Sequence, residues 1–457
     1  MKILIVLLIL SVQPCFATIP KPYVEKLPSG LTVAVFEDHK LPLIDFVLLV
    51  PHGSVNDPAM KSGTAQLMME LLDRGSGEYN AAQFADLVES KGATTYSSID
   101  NDSMTLGIHG MSTDRDVLFD LFRKWIMSPK WDPEEFKKEK TKLLDRWGHL
   151  GDQTSLLATL GFSRRLTNKT LYARGAFMSE VELRSINLSD SIAFYQNFFK
   201  PSDSVLIIVG DVNTQTWLKP QLAKLSEWKG SVPTQPLQKF ASPQFDVSKE
   251  VIIAIDKPGA PHADIKFGVP APSFKSKEHY DLLVSNSIFG DTFSSWLNTK
   301  IRDQAGYVYS IGSSFGHSVG YSIWGVSTST APEQVGLVLA KISKLYKDFQ
   351  ATQFTEAEVT AAKGYLVGSF AVNNSTLGQV ASRWLAGKLF DLPEDYLEKF
   401  TDRVNQTNFA SVAKATRTHF AGKTPEIVVS CDRLKCEKTL VAAGFKRLKW
   451  LKVSDLK

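Results

Sequence analysis

The chain has 457 residues, and its 52 Lys and Arg against 48 Asp and Glu leave a formal charge of +4 at pH 7, too small and too scattered for a nucleic-acid-binding surface. A hydrophobic fraction of 43% with 22% charged residues is that of an ordinary globular protein, which excludes a disordered chain and a membrane-embedded one. The length exceeds what one hydrophobic core usually serves, so two domains or more are expected.

At the N-terminus, Met1-Lys2 precedes an apolar run from Ile3 to Leu10, and Cys15-Phe16-Ala17 offers small residues where a secretory signal peptide is cleaved. The run is too short to span a bilayer. Residues 1–17 therefore read as a signal peptide, and a periplasmic location is expected because nothing later in the chain anchors it. Lipidation at Cys15 is the weaker reading, since Gln13-Pro14 is a poor approach to a lipidated cysteine. After cleavage Cys431 and Cys436 remain, either as a disulfide or as two thiols in a strand-to-helix turn.

Strand-like runs at Leu31 to Phe36 and Ile44 to Val50 lead into Gly63-Thr-Ala-Gln-Leu-Met-Met-Glu-Leu-Leu-Asp-Arg-Gly75. Within it, Ala65 to Leu72 has the period of an amphipathic helix, with Leu67, Met68, Leu71 and Leu72 inward and Gln66, Glu70 and Asp73 outward. Asp132-Pro-Glu-Glu-Phe then opens a long helical stretch with acidic residues in its first turn, and Ser204-Val-Leu-Ile-Ile-Val-Gly-Asp211 reads as a buried strand entering a turn. Residues 231–243 hold three prolines and little periodicity, the composition of a linker.

Beyond the linker the pattern recurs. Strand-like runs at Val251 to Ile255 and Ile265 to Val269 are followed by the helix opening Thr355-Glu-Ala-Glu-Val, and Pro425-Glu-Ile-Val-Val-Ser-Cys-Asp432 repeats the earlier buried strand. The repeat distance is roughly 220 residues. Domains at 18–230 and 244–457 are expected, of α+β class, each a mostly antiparallel sheet with helices packed on one face.

Two segments of the second half carry chemistry. Asn286-Ser-Ile-Phe-Gly-Asp-Thr-Phe-Ser-Ser-Trp-Leu-Asn-Thr-Lys-Ile-Arg-Asp-Gln-Ala-Gly-Tyr-Val-Tyr-Ser310 predicts a helix ending at Arg302, a turn at Gly306 and a strand with Tyr307, Tyr309 and Ile311 on one face. Asp256-Lys-Pro-Gly-Ala-Pro-His-Ala-Asp264 places His262 in a loop, either as a hydrogen-bonding group for a substrate or as a solvated side chain. The remaining histidines show no ligand spacing.

These motifs together resemble the pitrilysin/insulinase-like, inverted-motif zinc peptidases. The segment from Gly63 to Gly75 is similar to their G-x-A-H-x-x-E-H-x-x-x-x-G, in which two His one helical turn apart hold the metal and the Glu acts as general base. Here those positions are Gln66, Met69 and Glu70, and the family's third ligand, a later Glu, falls on Arg146, a fixed cation that would repel zinc. The resemblance thus implies no metal in this chain, and Glu70 and Arg146 are expected to form a buried ion pair in the vacant position. By contrast, the Asn286–Ser310 segment is similar to the family's L-R-E-x-x-G-x-x-Y, with Arg302 and Tyr309 in place. The family uses this pair to bind the substrate backbone and stabilise the oxyanion across a chamber from the metal, because a guanidinium and a phenol are donors suited to a developing negative charge. The 256–264 loop resembles D-K-P-G-x-x-Q, except that His262 stands where Gln is usual.

The family includes two-chain enzymes in which one subunit carries H-x-x-E-H and the other closes a clam-shell chamber. The resemblance therefore implies a non-catalytic subunit of a heterodimeric periplasmic zinc peptidase, with zinc in the H-x-x-E-H partner, peptides as substrates, and Arg302 and Tyr309 acting in trans. A stand-alone peptide-binding or assembly protein, and a peptidase with an unrecognised metal site, are the alternatives.

Overall fold

The computed structural model describes residues 19–167, 170–172, 179–231 and 251–456. The expected signal peptide and nearly all of the expected linker lie outside them. The described strands form two six-stranded sheets and one two-residue hairpin, β4 (Gly75–Ser76) with β5 (Tyr79–Asn80). The first sheet has the order β1-β2-β8-β3-β7-β6, built from Tyr23–Lys26, Thr32–Glu37, Val205–Gly210, Leu43–Val50, Met104–Met111 and Thr94–Ile99. The second has the order β14-β9-β13-β10-β12-β11, built from Leu448–Lys452, Ile252–Asp256, Glu426–Cys431, Ala263–Ala271, Ser322–Thr330 and Val308–His317.

Read in this direction the two sheets match strand for strand, and the repeated segments of the sequence are their central strands β8 and β13. The match ends at one edge: β1 precedes β2 and pairs antiparallel, whereas β14 ends the chain and pairs parallel to β9. In the other pairs only β2 with β8 and β9 with β13 run parallel, so the sheets are mostly antiparallel as expected for the α+β class.

Alternation decides which face each residue serves. In β3, Ile44, Phe46, Leu48 and Val50 meet the first half's own helices α1 (Thr64–Leu72) and α3 (Arg115–Met127), while Val47 and Leu49 point to the opposite face. That opposite face is covered by a helix from the other half. Helix α12 (Leu377–Leu389) sets Val380, Ala381 and Leu385 against Val205, Ile207 and Val209, and Trp384 meets Phe36 edge-on at 6.1 Å. Reciprocally, α5 (Thr154–Thr167) of the first half lays Leu157, Leu160 and Phe162 on Ile253, Ile255 and Val428 of the second sheet. Each sheet therefore carries its own helices on one face, as expected, and a borrowed helix on the other.

The sulfurs of Cys431, at the end of β13, and Cys436, in α15 (Arg433–Ala442), are in bonding contact. Their Cα atoms are 6.5 Å apart, within disulfide reach. No helix among the described residues is long and apolar enough to cross a membrane.

Candidate functional site

Helix α1 begins where the Asp57 carboxylate accepts hydrogen bonds from the Gly63 and Ala65 amides at 2.7 and 2.8 Å, a side-chain cap for its unpaired first turn. Helix α4 (Pro133–Gly148) begins with Asp132 accepting from the Glu134 amide at 2.8 Å and Pro133 in its first turn. The two helices pack through Leu67 and Leu143. Glu70 and Arg146 each lie three residues further along their helix, on the same face as those leucines, so the packing brings them together.

Arg146 Nη2 donates to Glu70 Oε1 at 2.8 Å, and Gln66 Nε2 donates to the same oxygen at 2.9 Å. The expected ion pair is present, but it is not buried: the Arg146 side chain is 56% exposed and that of Glu70 20%. Burial acts to raise the Glu70 carboxyl, and the hydrogen bonds from Arg146 and Gln66 with the charges of Arg146 and Arg74 outweigh it, holding the group below its ordinary value. Met69, which the amphipathic pattern left unplaced, is buried in the core of the first half. One turn along, burial pushes the Asp73 carboxyl up to about 6 despite a hydrogen bond from Ser97. Neighbouring Glu139 is fully enclosed and paired with Arg74 at 3.0 Å and Lys142 at 2.8 Å.

This donor set does not fit zinc. An amide, an enclosed thioether and a carboxylate already neutralised by a guanidinium offer none of the imidazole or free carboxylate ligands such a metal takes. Among the described residues no group of three or more His, Cys, Asp or Glu is gathered closely enough to hold a metal ion.

In the second half, a network of buried polar side chains shapes the Arg302–Tyr309 segment. Asn286 accepts from Ser313 and Trp324 at 2.7 Å each and donates to the Ser313 carbonyl, while Asn298 donates to the Thr292 and Ile311 carbonyls at 3.0 Å each. Gly290 lies so close to Ser313 that a Cβ would stand 2.4 Å from its hydroxyl. Gly306 adopts φ of +66° and turns the chain from the helical segment Asn298–Asp303 into β11. The expected helix end and turn are therefore both found.

The expected common face of Tyr307, Tyr309 and Ile311 is not found. Tyr307 precedes the strand, and β11 has an irregular register between Val308 and Ile311, so Val308 pairs with Thr330 and Ile311 with Thr328. The additional residue is a bulge, and it turns Tyr309 outward to 96% exposure while Ile311 stays in the core. Arg302 is held from two sides: its Nε donates to Asp303 at 2.8 Å, and its guanidinium lies 4.9 Å over the ring of Phe293, itself 79% exposed. Phe293 and Asp303 belong to the motif, but nothing in the linear pattern marks them as the supports of Arg302. His262 is exposed at the end of the turn that enters β10.

Residues 32–172 match the family profile described as insulinase, peptidase family M16, and residues 185–366 match that of the peptidase M16 inactive domain. The chain belongs to the M16 peptidase family. Over 84% of its length it is 22% identical to a protein of Helicobacter pylori described as the non-peptidase homolog YmxG, covering 88% of that protein. It is also 23% identical, over 63% of this chain and 65% of the relative, to the zinc protease PqqE of the same species. A peptidase M16 inactive domain from Pseudomonas fluorescens superposes on 90% of this chain and 98% of its own with a TM-score of 0.82 at 20% identity. A protease from Helicobacter pylori covers 90% of this chain and all of its own at a TM-score of 0.81 and 19% identity. Both share the fold. Within the family this chain is one that lacks the H-x-x-E-H ligands.

Proposed function

We propose that this protein is the non-catalytic subunit of a two-chain, periplasmic M16 peptidase, closing a chamber around short peptides and binding them to an H-x-x-E-H-bearing homologue that holds the zinc. One contrast carries the reading: an ion pair stands where the family resemblance would put the metal ligands, while Tyr309, seven residues beyond a supported Arg302, is almost fully exposed. A phenol exposed to 96% on a bulged strand contributes little to packing among the described residues. Its hydroxyl is free to donate to a carbonyl oxygen presented by a bound peptide. The likeness to a non-peptidase homolog and to an M16 inactive domain supports the loss of chemistry in this chain, and the likeness to a zinc protease supports an active homologue as the partner class.

In this scheme the partner's metal supplies the activated water. Arg302, its guanidinium plane set by Phe293 and Asp303, orients the peptide carbonyls, and Tyr309 donates to the oxyanion. The test is cleavage of a fluorogenic peptide, with zinc content, by this chain, by the H-x-x-E-H homologue and by their mixture. Activity is expected only in the mixture. Tyr309→Phe is expected to lower kcat by about 10²–10³ there, the usual effect of one lost oxyanion donor. Because that side chain is exposed, the unfolding temperature of the isolated variant stays unchanged. Stoichiometric zinc and cleavage in this chain alone would overturn the proposal, and a mixture indifferent to Tyr309→Phe would leave an assembly or peptide-binding role.

A further inference from the structure

A cavity of about 500 Å³ lies beyond the last two turns of α10 (Val335–Gln350), closed by the turn at 422–425 and by Arg447 at the entry to β14. Lys347, Lys423 and Arg447 line it, and no acidic side chain does. The acids that flank lining residues in the sequence are turned elsewhere: Glu426 is bonded to Arg165 at 3.1 Å on the opposite face of the sheet, and Asp348 is paired with Lys344 at 3.2 Å. None of the three cations is paired with a carboxylate among the described residues, and the Lys423 ammonium donates to the Pro270 carbonyl at 3.2 Å.

The cavity also holds a buried polar group that is poorly satisfied. Tyr346 is 2% exposed, and its hydroxyl has the Gln350 side chain as a polar neighbour but no well-formed hydrogen bond among the described residues. The neighbouring Gln350 amide has both its hydrogens committed, to the Phe420 carbonyl at 2.6 Å and the Lys423 carbonyl at 3.0 Å. A buried hydroxyl without a well-formed hydrogen bond is costly and rare, and an acceptor from outside the chain would satisfy it. Lys423 is half-buried, and that burial pushes its ammonium pKa down. An anion in the cavity would repay the desolvation.

Neighbouring elements do not explain the charge. The C-terminal end of α10 favours one cation, which Lys347 in its last turn provides; Lys423 and Arg447 exceed that need. Nor is Gly422-Lys423-Thr424 the end of a nucleotide-binding loop, since it leads from a helix into a strand rather than from a strand into a helix.

We propose that this cavity binds a multivalent phosphate-type oxyanion, with its charge on Lys347, Lys423 and Arg447 and one oxygen accepting from the Tyr346 hydroxyl. A single carboxylate would leave two of the three cations uncompensated, whereas a phosphate group matches both the charge and the guanidinium fork. The inference is independent of the subunit reading. Its source is either a free phosphate compound or a phospholipid head group, and the two are separated by experiment.

The mature full-length chain is titrated calorimetrically with inorganic phosphate and tripolyphosphate at constant ionic strength, and floated with phosphatidylglycerol or phosphatidylcholine vesicles. Saturable binding is expected, weakened about tenfold or more by Lys423→Gln or Arg447→Gln, the loss of one charge-assisted contact. Tyr346→Phe, which keeps the ring packing, is expected to weaken binding severalfold without lowering the unfolding temperature of the free protein. Binding to phosphatidylglycerol vesicles that the same substitutions abolish assigns the site to a lipid head group. Binding confined to the soluble phosphates assigns it to a free compound. No saturable binding in either arm, or binding indifferent to all three substitutions, would overturn the proposal.

Discussion

The Glu70–Arg146 pair shows what a single exposed partner does to an energetic argument. A fully enclosed pair would make loss of the guanidinium cost about 3–5 kcal/mol, because an unpaired charge would stay in the interior. With Arg146 56% exposed, water reaches the site and Gln66 still donates to Glu70, so Arg146→Met is expected to cost no more than about 1 kcal/mol at neutral pH. The sign with pH follows from the Glu70 carboxyl lying below its ordinary value of 4.5. Its contribution is present above that value and is lost as the pH falls through the lowered folded pKa. Urea unfolding of both proteins should therefore show the difference at pH 7 and its disappearance in acid. A loss that persists at low pH would mean that packing of the Arg146 stem, not charge, is what the substitution removes.

At the scale of elements, most of what the linear pattern marked is present. The apolar runs became β2, β3, β9 and β10, the acidic openings became the capped starts of α4 and α11 (Glu356–Val372), and Gly306 makes its turn. Periodicity and caps are local and can be read from neighbours in the chain. The bulge in β11 could not be read in this way. It depends on how β12 pairs with it, so the exposure of Tyr309 emerges only once the sheet is formed. The approach of α5 to the second sheet is likewise non-local. Gly268 of β10 has no room for a side chain, since a Cβ would stand 2.5 Å from the Trp324 carbonyl oxygen and 2.8 Å from the Phe162 ring. Gly268→Ala is expected to destabilise by about 1–3 kcal/mol through overpacking, measurable as a lower midpoint of chemical unfolding. An unchanged midpoint would show that α5 can move away from the sheet at little cost.

For the whole molecule, the decisive feature is how the halves are joined. Besides the exchanged helices, the hairpin turn of the first sheet meets that of the second at Tyr172. Its hydroxyl donates to Asp102 at 2.6 Å and accepts from the Gly320 amide at 2.7 Å, while the Val319 amide donates to the other Asp102 oxygen at 2.9 Å. Tyr172 also packs edge-on against Tyr321 at 4.5 Å. Burial raises the Asp102 carboxyl above its ordinary value, and the hydrogen bonds from Tyr172 and the Val319 amide act against that by favouring its ionised form. Tyr172→Phe should cost about 1–3 kcal/mol at pH 7 by leaving buried partners unsatisfied. Removing the donor raises the folded pKa further, so the penalty shrinks as the pH falls toward the unfolded value of Asp. Thermal unfolding at pH 7 and pH 4 would show this, and a pH-independent penalty would mean that the cost arises from the orphaned Gly320 amide rather than from the Asp102 charge.

Residue order alone carried the family, the α+β class, the twofold repeat and the resemblance that puts Gln66, Glu70 and Arg146 at metal-ligand positions and Met69 at that of the general base. Each of these depends on residue identity and spacing along one segment. Tertiary structure decided the rest: that Glu70 and Arg146 meet near the surface rather than in the core, that Met69 is enclosed, that Tyr309 faces outward, that Phe293 and Asp303 support Arg302, and that each half lends the other a helix. These outcomes depend on which segments distant in the chain become neighbours, and on how much water the packing leaves between them. Neither quantity is carried by the order of residues in any one stretch.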